Sequence, residues 1–326
     1  MGSGDEPMDA SQTAAFPSLG ALLGDYRRTR TQLVTVTDEF AAIERRLELL
    51  DGHGDWPDPP LTATPSTAPP ATLEIGCLGR FCVTWDGKPV EVPTGGKSAA
   101  VLKFLASRGG RPTPRDLFFE AVWPGVDADL AANRLRVALY GLRHSTRDAI
   151  ELVVYDDGQY RIAPDARLLL DFELFEAQWE LGQRFERGGQ TEQAAAAYAS
   201  AERLYRGDFL EDDSFVEWTV VRREYLRDLY LNLLLRLATL AYEHGDEAGC
   251  VSRCHKILRE DPCSEDAYGL LIRSHLRRGR RARALSWFGV CERTLRAELD
   301  VAPSPAIVAL RDQIVADRPT TPDRRN

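Results

Sequence analysis

Apolar positions along residues 18–50 recur in steps of four and three: Leu22, Tyr26, Leu33, Val36, Phe40, Ile43, Leu47 and Leu50, with Thr29 filling one gap. A seam sustained over about four heptads predicts a coiled-coil helix rather than the surface helix of a globular domain. In a parallel pair, each g position faces the next e position of the partner. Asp25 then faces Arg30, Gln32 faces Thr37, Glu39 faces Glu44 and Arg46 faces Asp51. Two of these pairs attract, one is neutral and one repels, so the charges permit a parallel homodimer with the eight apolar residues as its interface. An antiparallel pair, a different partner helix and packing on the chain's own domain remain open.

The periodicity stops at residue 51. Residues 51–71, DGHGDWPDPPLTATPSTAPPA, are rich in Pro, Gly, Ser and Thr and predict an extended, semi-rigid linker without a core. From Thr72 the pattern becomes short and alternating. LEIGCLGRFCVTWDGKPVEV predicts strands with a turn at Asp86-Gly87. KSAAVLKFLASRGG predicts a helix ending on a glycine pair, and Pro112-Thr113-Pro114 breaks the chain. PRDLFFEAVW predicts a second helix with Pro114 at its start, and LAANRLRVALYGLRHSTRD a third. ELVVYDDGQYRI closes as a hairpin turning at Asp157-Gly158. Strands, three helices and a hairpin are the order of a winged helix-turn-helix over residues 72–165. Such folds lay the third helix in the DNA major groove and use the final hairpin as a wing.

The third helix carries NRLRVALYGLRHSTR at residues 133–147, with four arginines, one histidine and no acid. Leu135, Leu139 and Leu142 define the inward face, while Arg136, Tyr140, Arg143 and Arg147 form a separate outward stripe. Positive charge there can neutralise phosphates, and arginine can also address guanine edges.

From Leu168 onward the pattern is helical, with short Gly or Pro turns. Gly245 and Gly279 stand 34 residues apart, each five before a small residue, Cys250 and Ala284. That period matches a tetratricopeptide helix pair. GGQTEQAAAAYASAERLY repeats the scheme with Gly189 and Ala194, separated from the next unit by an insertion around GDFLEDDSF. Three pairs predict a short solenoid over residues 166–315 with a concave face that binds proteins or peptides. The expected fold class is therefore mainly α with a small β component: coiled-coil helix, winged helix-turn-helix and tetratricopeptide-like α-solenoid.

Composition narrows the chemistry. The 326 residues carry a formal net charge of −9, which argues against bulk electrostatic attraction to nucleic acid or anionic membrane. Any nucleic-acid contact must then be local, and residues 72–165 themselves hold equal numbers of acids and bases. Asp156 and Asp157 stand in the wing, where they oppose phosphate. No apolar run has membrane-spanning length and no signal-peptide pattern opens the chain, so a soluble, cytoplasmic protein is expected. Six cysteines in such a compartment are expected as reduced thiols, and their spacing supports no metal site. GGKS at residues 95–98 lacks the upstream glycine of a phosphate-binding loop, because Glu91 stands there. The five histidines fall in no nucleophile motif, so neither an enzyme nor a cofactor is expected. A second basic cluster, RSHLRRGRRARAL at residues 273–285, has six arginines across a helix–helix turn. It reads either as a solvated turn paired with nearby acids or as a surface for an anionic partner.

The order of domains resembles the Streptomyces antibiotic regulatory protein family, an OmpR-like winged helix followed by a bacterial transcriptional activator domain. RPTPRDLFFEAVWPG, NRLRVALYGLR and GQYRI carry the resemblance in the first half. DFELFEAQWELG, YRGDFLEDDSFVEW, RREYLRDLYLNLLLRLA, ILREDPCSEDAYGLLIRSHLRRGRRARAL and LRAELDVAPSPAIVAL carry it in the second. The resemblance covers about residues 73–315 and implies dimeric binding to direct repeats near promoters and recruitment of RNA polymerase to secondary-metabolism genes. It implies Arg134, Arg136, Val137, Tyr140, Arg143 and His144 as DNA-facing residues, with Arg161 in the wing and Lys97 reaching a phosphate. The N-terminal coiled coil lies outside the usual short family architecture, and no ATPase or phosphopeptide-binding domain is expected after the repeats. Two other outcomes stay open: repression by occlusion, and a protein-binding scaffold whose winged helix no longer binds DNA.

Overall fold

A computed structural model describes residues 71–146, 152–163, 165–213 and 215–316. The expected coiled coil, most of the linker and Arg147 lie outside the described residues. Among the described residues no helix is long and apolar enough to cross a membrane.

The first sheet contains β1 (Thr72–Gly76), β2 (Cys82–Trp85), β3 (Lys88–Pro89) and, far along the chain, β7 (Arg167–Leu170), in the order β3-β2-β1-β7. Asp86 and Gly87 both adopt positive φ, 48° and 76°, the mirror-image turn whose twist suits a two-residue hairpin. The Asp86 carboxylate also accepts the Thr72 N–H at 2.8 Å. The helical pattern read from Leu168 is corrected here: Arg167–Leu170 is a strand that runs parallel to β1. A run of three leucines has no period of its own, and the neighbouring strand decides its state. Leu73 and Ile75 of β1 are buried, so pairing with β1 places the apolar run in the core.

Three helices follow the first hairpin: α1 (Gly96–Ser107), α2 (Arg115–Val122) and α3 (Ala128–Ser145). The Asp127 side chain accepts the Asp129 N–H at 3.0 Å and caps α3. Gly141 lets α1 and α3 approach closely, since a Cβ there would stand 2.8 Å from the Ser98 hydroxyl. The wing is β5 (Val153–Asp156) with β6 (Gln159–Ile162), turning through Asp157 and Gly158 at φ 47° and 77°. Thr113–Pro114, expected only as a break, also forms β4 at the edge of this sheet, in the order β4-β6-β5. Proline is tolerated there because the edge needs no further N–H donor. Phe118 centres the domain, edge-on to Phe104 at 5.4 Å and to Tyr160 at 5.3 Å.

The second half is a run of helix hairpins: α4 (Asp171–Arg187) with α5 (Thr191–Leu204), α6 (Glu217–Glu243) with α7 (Glu247–Glu260), and α8 (Glu265–Arg277) with α9 (Arg281–Leu299). A last helix, α10 (Pro305–Ala316), covers α8 and α9. Gly189, Gly245 and Gly279 adopt φ 71°, 79° and 66°, the left-handed conformation that ends a helix and starts the next. Ala194, Cys250 and Ala284, each five residues on, are fully buried where the paired helices touch. The periodicity at 34 residues is thus a packing requirement: a left-handed turn, then a small side chain at the first crossing. Within LRAELDVAPSPAIVAL, residues 300–304 form a return loop between α9 and α10. Asp300 takes φ 54° to stop α9, and the Ser304 N–H donates to Glu265 at 2.7 Å, drawing α10 back onto α8.

One buried core runs through both halves, from Leu73, Phe118 and Leu135 to Phe172, Tyr198 and Leu226. The insertion GDFLEDDSF makes the join. Phe209 bridges to Leu78, the Leu210 N–H donates to the Cys77 carbonyl at 2.8 Å, and the Gly79 N–H donates to Asp208 at 2.9 Å. Arg223, buried in α6, donates to the carbonyls of Phe209, Leu210 and Asp213 and so holds the insertion against the array. From the other side, the Asp171 carboxylate accepts the N–H groups of Cys77 and Leu78 at 2.7 and 2.9 Å. Burial pushes the Asp171 pKa up, and these backbone donors oppose the shift.

Candidate nucleic-acid interface

The sequence of α3 divides into two faces. Ala131, Leu135, Ala138 and Leu142 are buried and hold the helix against the core. Eighteen residues make it about 27 Å long at about 1.5 Å per residue. Arg134, Arg136, Val137, Tyr140, Arg143 and His144 are all exposed. Val137 is 64 % and Tyr140 71 % exposed, so two large apolar side chains on this face belong to no core. Tyr140 stacks on His144 with ring centroids 6.3 Å apart and planes 9° from parallel. The Arg136 guanidinium donates to the Asn133 side chain at 3.4 Å.

Positive charge gathers behind this stripe. The Tyr160 hydroxyl, in the wing, lies in the fields of Arg115, Arg136 and Arg143. Burial is the largest influence on it and raises its pKa, so it stays a neutral donor. Tyr155, itself exposed, packs on Tyr160 at 4.8 Å. Arg161 pairs in register with Val154 in the wing, is half-buried, and its Nε is buried without a hydrogen-bond partner. Asp156 and Asp157 occupy the exposed tip beside it.

Of the nine residues singled out for DNA, six lie together on the outer face of α3, and Arg161 lies in the wing. Lys97 is engaged elsewhere: its ammonium donates to the Val122 carbonyl at 2.6 Å and stands over the Trp123 ring at 5.9 Å, closing the end of α2. Arg115 and Tyr155 join the surface without having been singled out. Arg115 follows Pro114 at the start of α2, and its position after a helix-initiating proline was the available signal. Tyr155 follows buried Val153 and half-buried Val154, so strand alternation alone did not reveal it.

An α-helix of this width fits a major groove about 12 Å across. The arrangement offers phosphate-neutralising guanidinium groups, two apolar side chains able to touch base edges or thymine methyls, and a hairpin to one side.

Residues 170–315 match the family model of the bacterial transcriptional activator domain. The chain is 28 % identical over 257 residues to the transcriptional regulatory protein EmbR of Mycobacterium tuberculosis and of Mycobacterium bovis, covering 76 % of this chain and 64 % of theirs. It therefore spans just under two thirds of the length of these curated relatives. The structure resembles that of Mycobacterium tuberculosis EmbR in complex with a low-affinity phosphopeptide, with a TM-score of 0.63, 25 % identity, and coverage of 77 % of this chain and 67 % of that one. The activator-domain match over residues 170–315, together with the likeness to EmbR in sequence and structure, supports a SARP-like family for this chain.

Proposed function

We propose that this chain is a sequence-specific, DNA-binding transcriptional activator that works without catalysis. It reads promoter-proximal repeats with α3, binds them as a dimer through the N-terminal coiled coil, and recruits RNA polymerase to genes of secondary metabolism from the cytoplasm. The observation that carries this reading is the outer face of α3, where exposed Val137 and Tyr140 are flanked by Arg134, Arg136 and Arg143. Two apolar side chains left in water amid guanidinium groups suit a groove that offers base edges between phosphates. The EmbR relatives, named as transcriptional regulators, support the class of function.

A scaffold reading also has a specific observation behind it: Asp156 and Asp157 are exposed at the wing tip, where phosphate would be repelled. Repression by occlusion shares the same DNA contacts. The deciding experiment is selection of bound fragments from sheared DNA of the source genome, with the Arg136→Ala/Arg143→Ala variant in parallel. Enrichment of a repeated motif by the native protein alone is expected, and the repeat spacing then reports the dimer geometry. No enrichment at low salt by folded protein would move the function to the helical array.

A further inference from the structure

A cavity of about 320 Å³ opens where α7, α8 and α9 meet. It is lined by Ala248, Val251 and Ser252 from α7, His275 from α8, Arg278 just past the end of α8, and Arg280 just before α9. The volume falls at the low end of the roughly 300–1,000 Å³ typical of small-molecule sites, so an occupant is compact.

The charges at its mouth do not cancel. Glu247, the acid at the rim, is engaged by Arg278 at 3.3 Å. Arg280 forms no side-chain hydrogen bond or ion pair among the described residues, and Arg283 lies three residues further along α9 with its guanidinium equally free. Arg280 is also the N-cap of α9, and its side chain caps no backbone N–H, so the positive end of a 19-residue helix adds to the same field. His275 registers that field. Burial comes first, then Arg280, Arg283 and Arg278, and together they hold its imidazole below the ordinary histidine range. The Trp287 indole donates to His275 Nε2 at 3.1 Å, which leaves the neutral ring's proton on Nδ1, buried and without an acceptor.

We propose that this junction binds a small organic carboxylate with a compact apolar body. The carboxylate pairs with Arg280, whose planar fork suits two parallel hydrogen bonds. The body lies on Ala248 and Val251. A bare phosphate would satisfy the arginine and leave the apolar wall wet. Occupancy of this cavity is independent of whether α3 reads DNA.

Saturation-transfer NMR titrations of the full chain with benzoate, benzyl alcohol and inorganic phosphate test the site. Benzoate is expected to saturate, with benzyl alcohol and phosphate weaker by at least about tenfold. Arg280→Gln should weaken benzoate by a similar factor, and Ala248→Phe, which fills the cavity from an exposed position, should abolish binding. Both variants should melt like the native chain, because neither side chain is in the core. Absence of saturation, unchanged affinity in Arg280→Gln, or phosphate binding as well as benzoate would each overturn the proposal. So would a peptide with a free C-terminal carboxylate that binds where benzoate does not, since the surface would then serve a protein partner.

Discussion

The ammonium of Lys103 and the carboxylate of Asp213 meet at 2.5 Å across the join between the winged helix and the helical array. Lys103 is 1 % exposed in the middle of α1, while the Asp213 side chain keeps 26 % of its surface. The same ammonium donates to the Thr94 carbonyl at 3.0 Å and stands 5.4 Å from the centre of the Phe81 ring. The partners are therefore unequal: removing the acid strands a buried cation, whereas removing the cation leaves an acid that water can reach. Asp213→Ala is expected to cost about 2–3 kcal/mol, below the roughly 3–5 of a fully buried pair. Lys103→Met should cost under about 1 kcal/mol, because the apolar stem is already buried and methionine fills its path. A double-mutant cycle in urea checks this, and equal, additive losses would remove the argument.

If Arg136 and Arg143 neutralise phosphates, replacing both with alanine lowers affinity and flattens its salt dependence. The slope of log K against log salt should fall by about 1.8, about 0.9 per contact. Melting should not move, because both residues lie on the exposed face of α3. Anisotropy titrations at several salt concentrations give the slope. An unchanged slope with lost affinity would make the arginines readers of bases, and a lowered melting temperature would make them structural.

Much of this architecture was legible in the sequence because local rules fixed it. Asp86-Gly87 and Asp157-Gly158 announce mirror-image turns, and the glycines at 189, 245 and 279 announce helix hairpins, each with its small residue five positions on. The outer stripe of α3 followed from helical spacing alone. What escaped was non-local. Nothing within RLLL shows that β7 pairs with a strand some ninety-five residues earlier. Nothing within GDFLEDDSF shows that Phe209 reaches Leu78 or that Asp213 awaits Lys103. A lysine in an apolar helix face, such as Lys103, signals a distant acid without naming it. Lys97 was given to phosphate on position, but its ammonium finds a carbonyl at the end of α2 first.

The acidic wing tip makes a separate, opposite prediction. Asp156→Asn with Asp157→Asn removes two negative charges and keeps the hairpin, since asparagine before glycine favours the same turn. DNA affinity should rise a few-fold at low salt, and the gain should shrink as the Debye length falls from about 30 Å at 0.01 M to about 10 Å at 0.1 M. Equal affinity for native and variant protein at low salt would mean that the wing does not approach the duplex.

The heptad seam from Leu22 to Leu50 makes the last prediction, and it is separable from all contacts of α3. If the seam pairs two chains, deleting residues 1–52 should turn a dimer into a monomer in light scattering. The remainder should stay folded, because the three hydrophobic cores found among the described residues are built from Leu73 onward. DNA with two half-sites should then bind more weakly by about 10²–10⁴, the range over which tethering converts a second encounter into an intramolecular one. DNA with a single half-site should bind the truncated and full-length chains alike. An unchanged number of chains per particle would reject the coiled-coil dimer, and equal loss on one and two half-sites would place the deleted segment in the DNA contact itself.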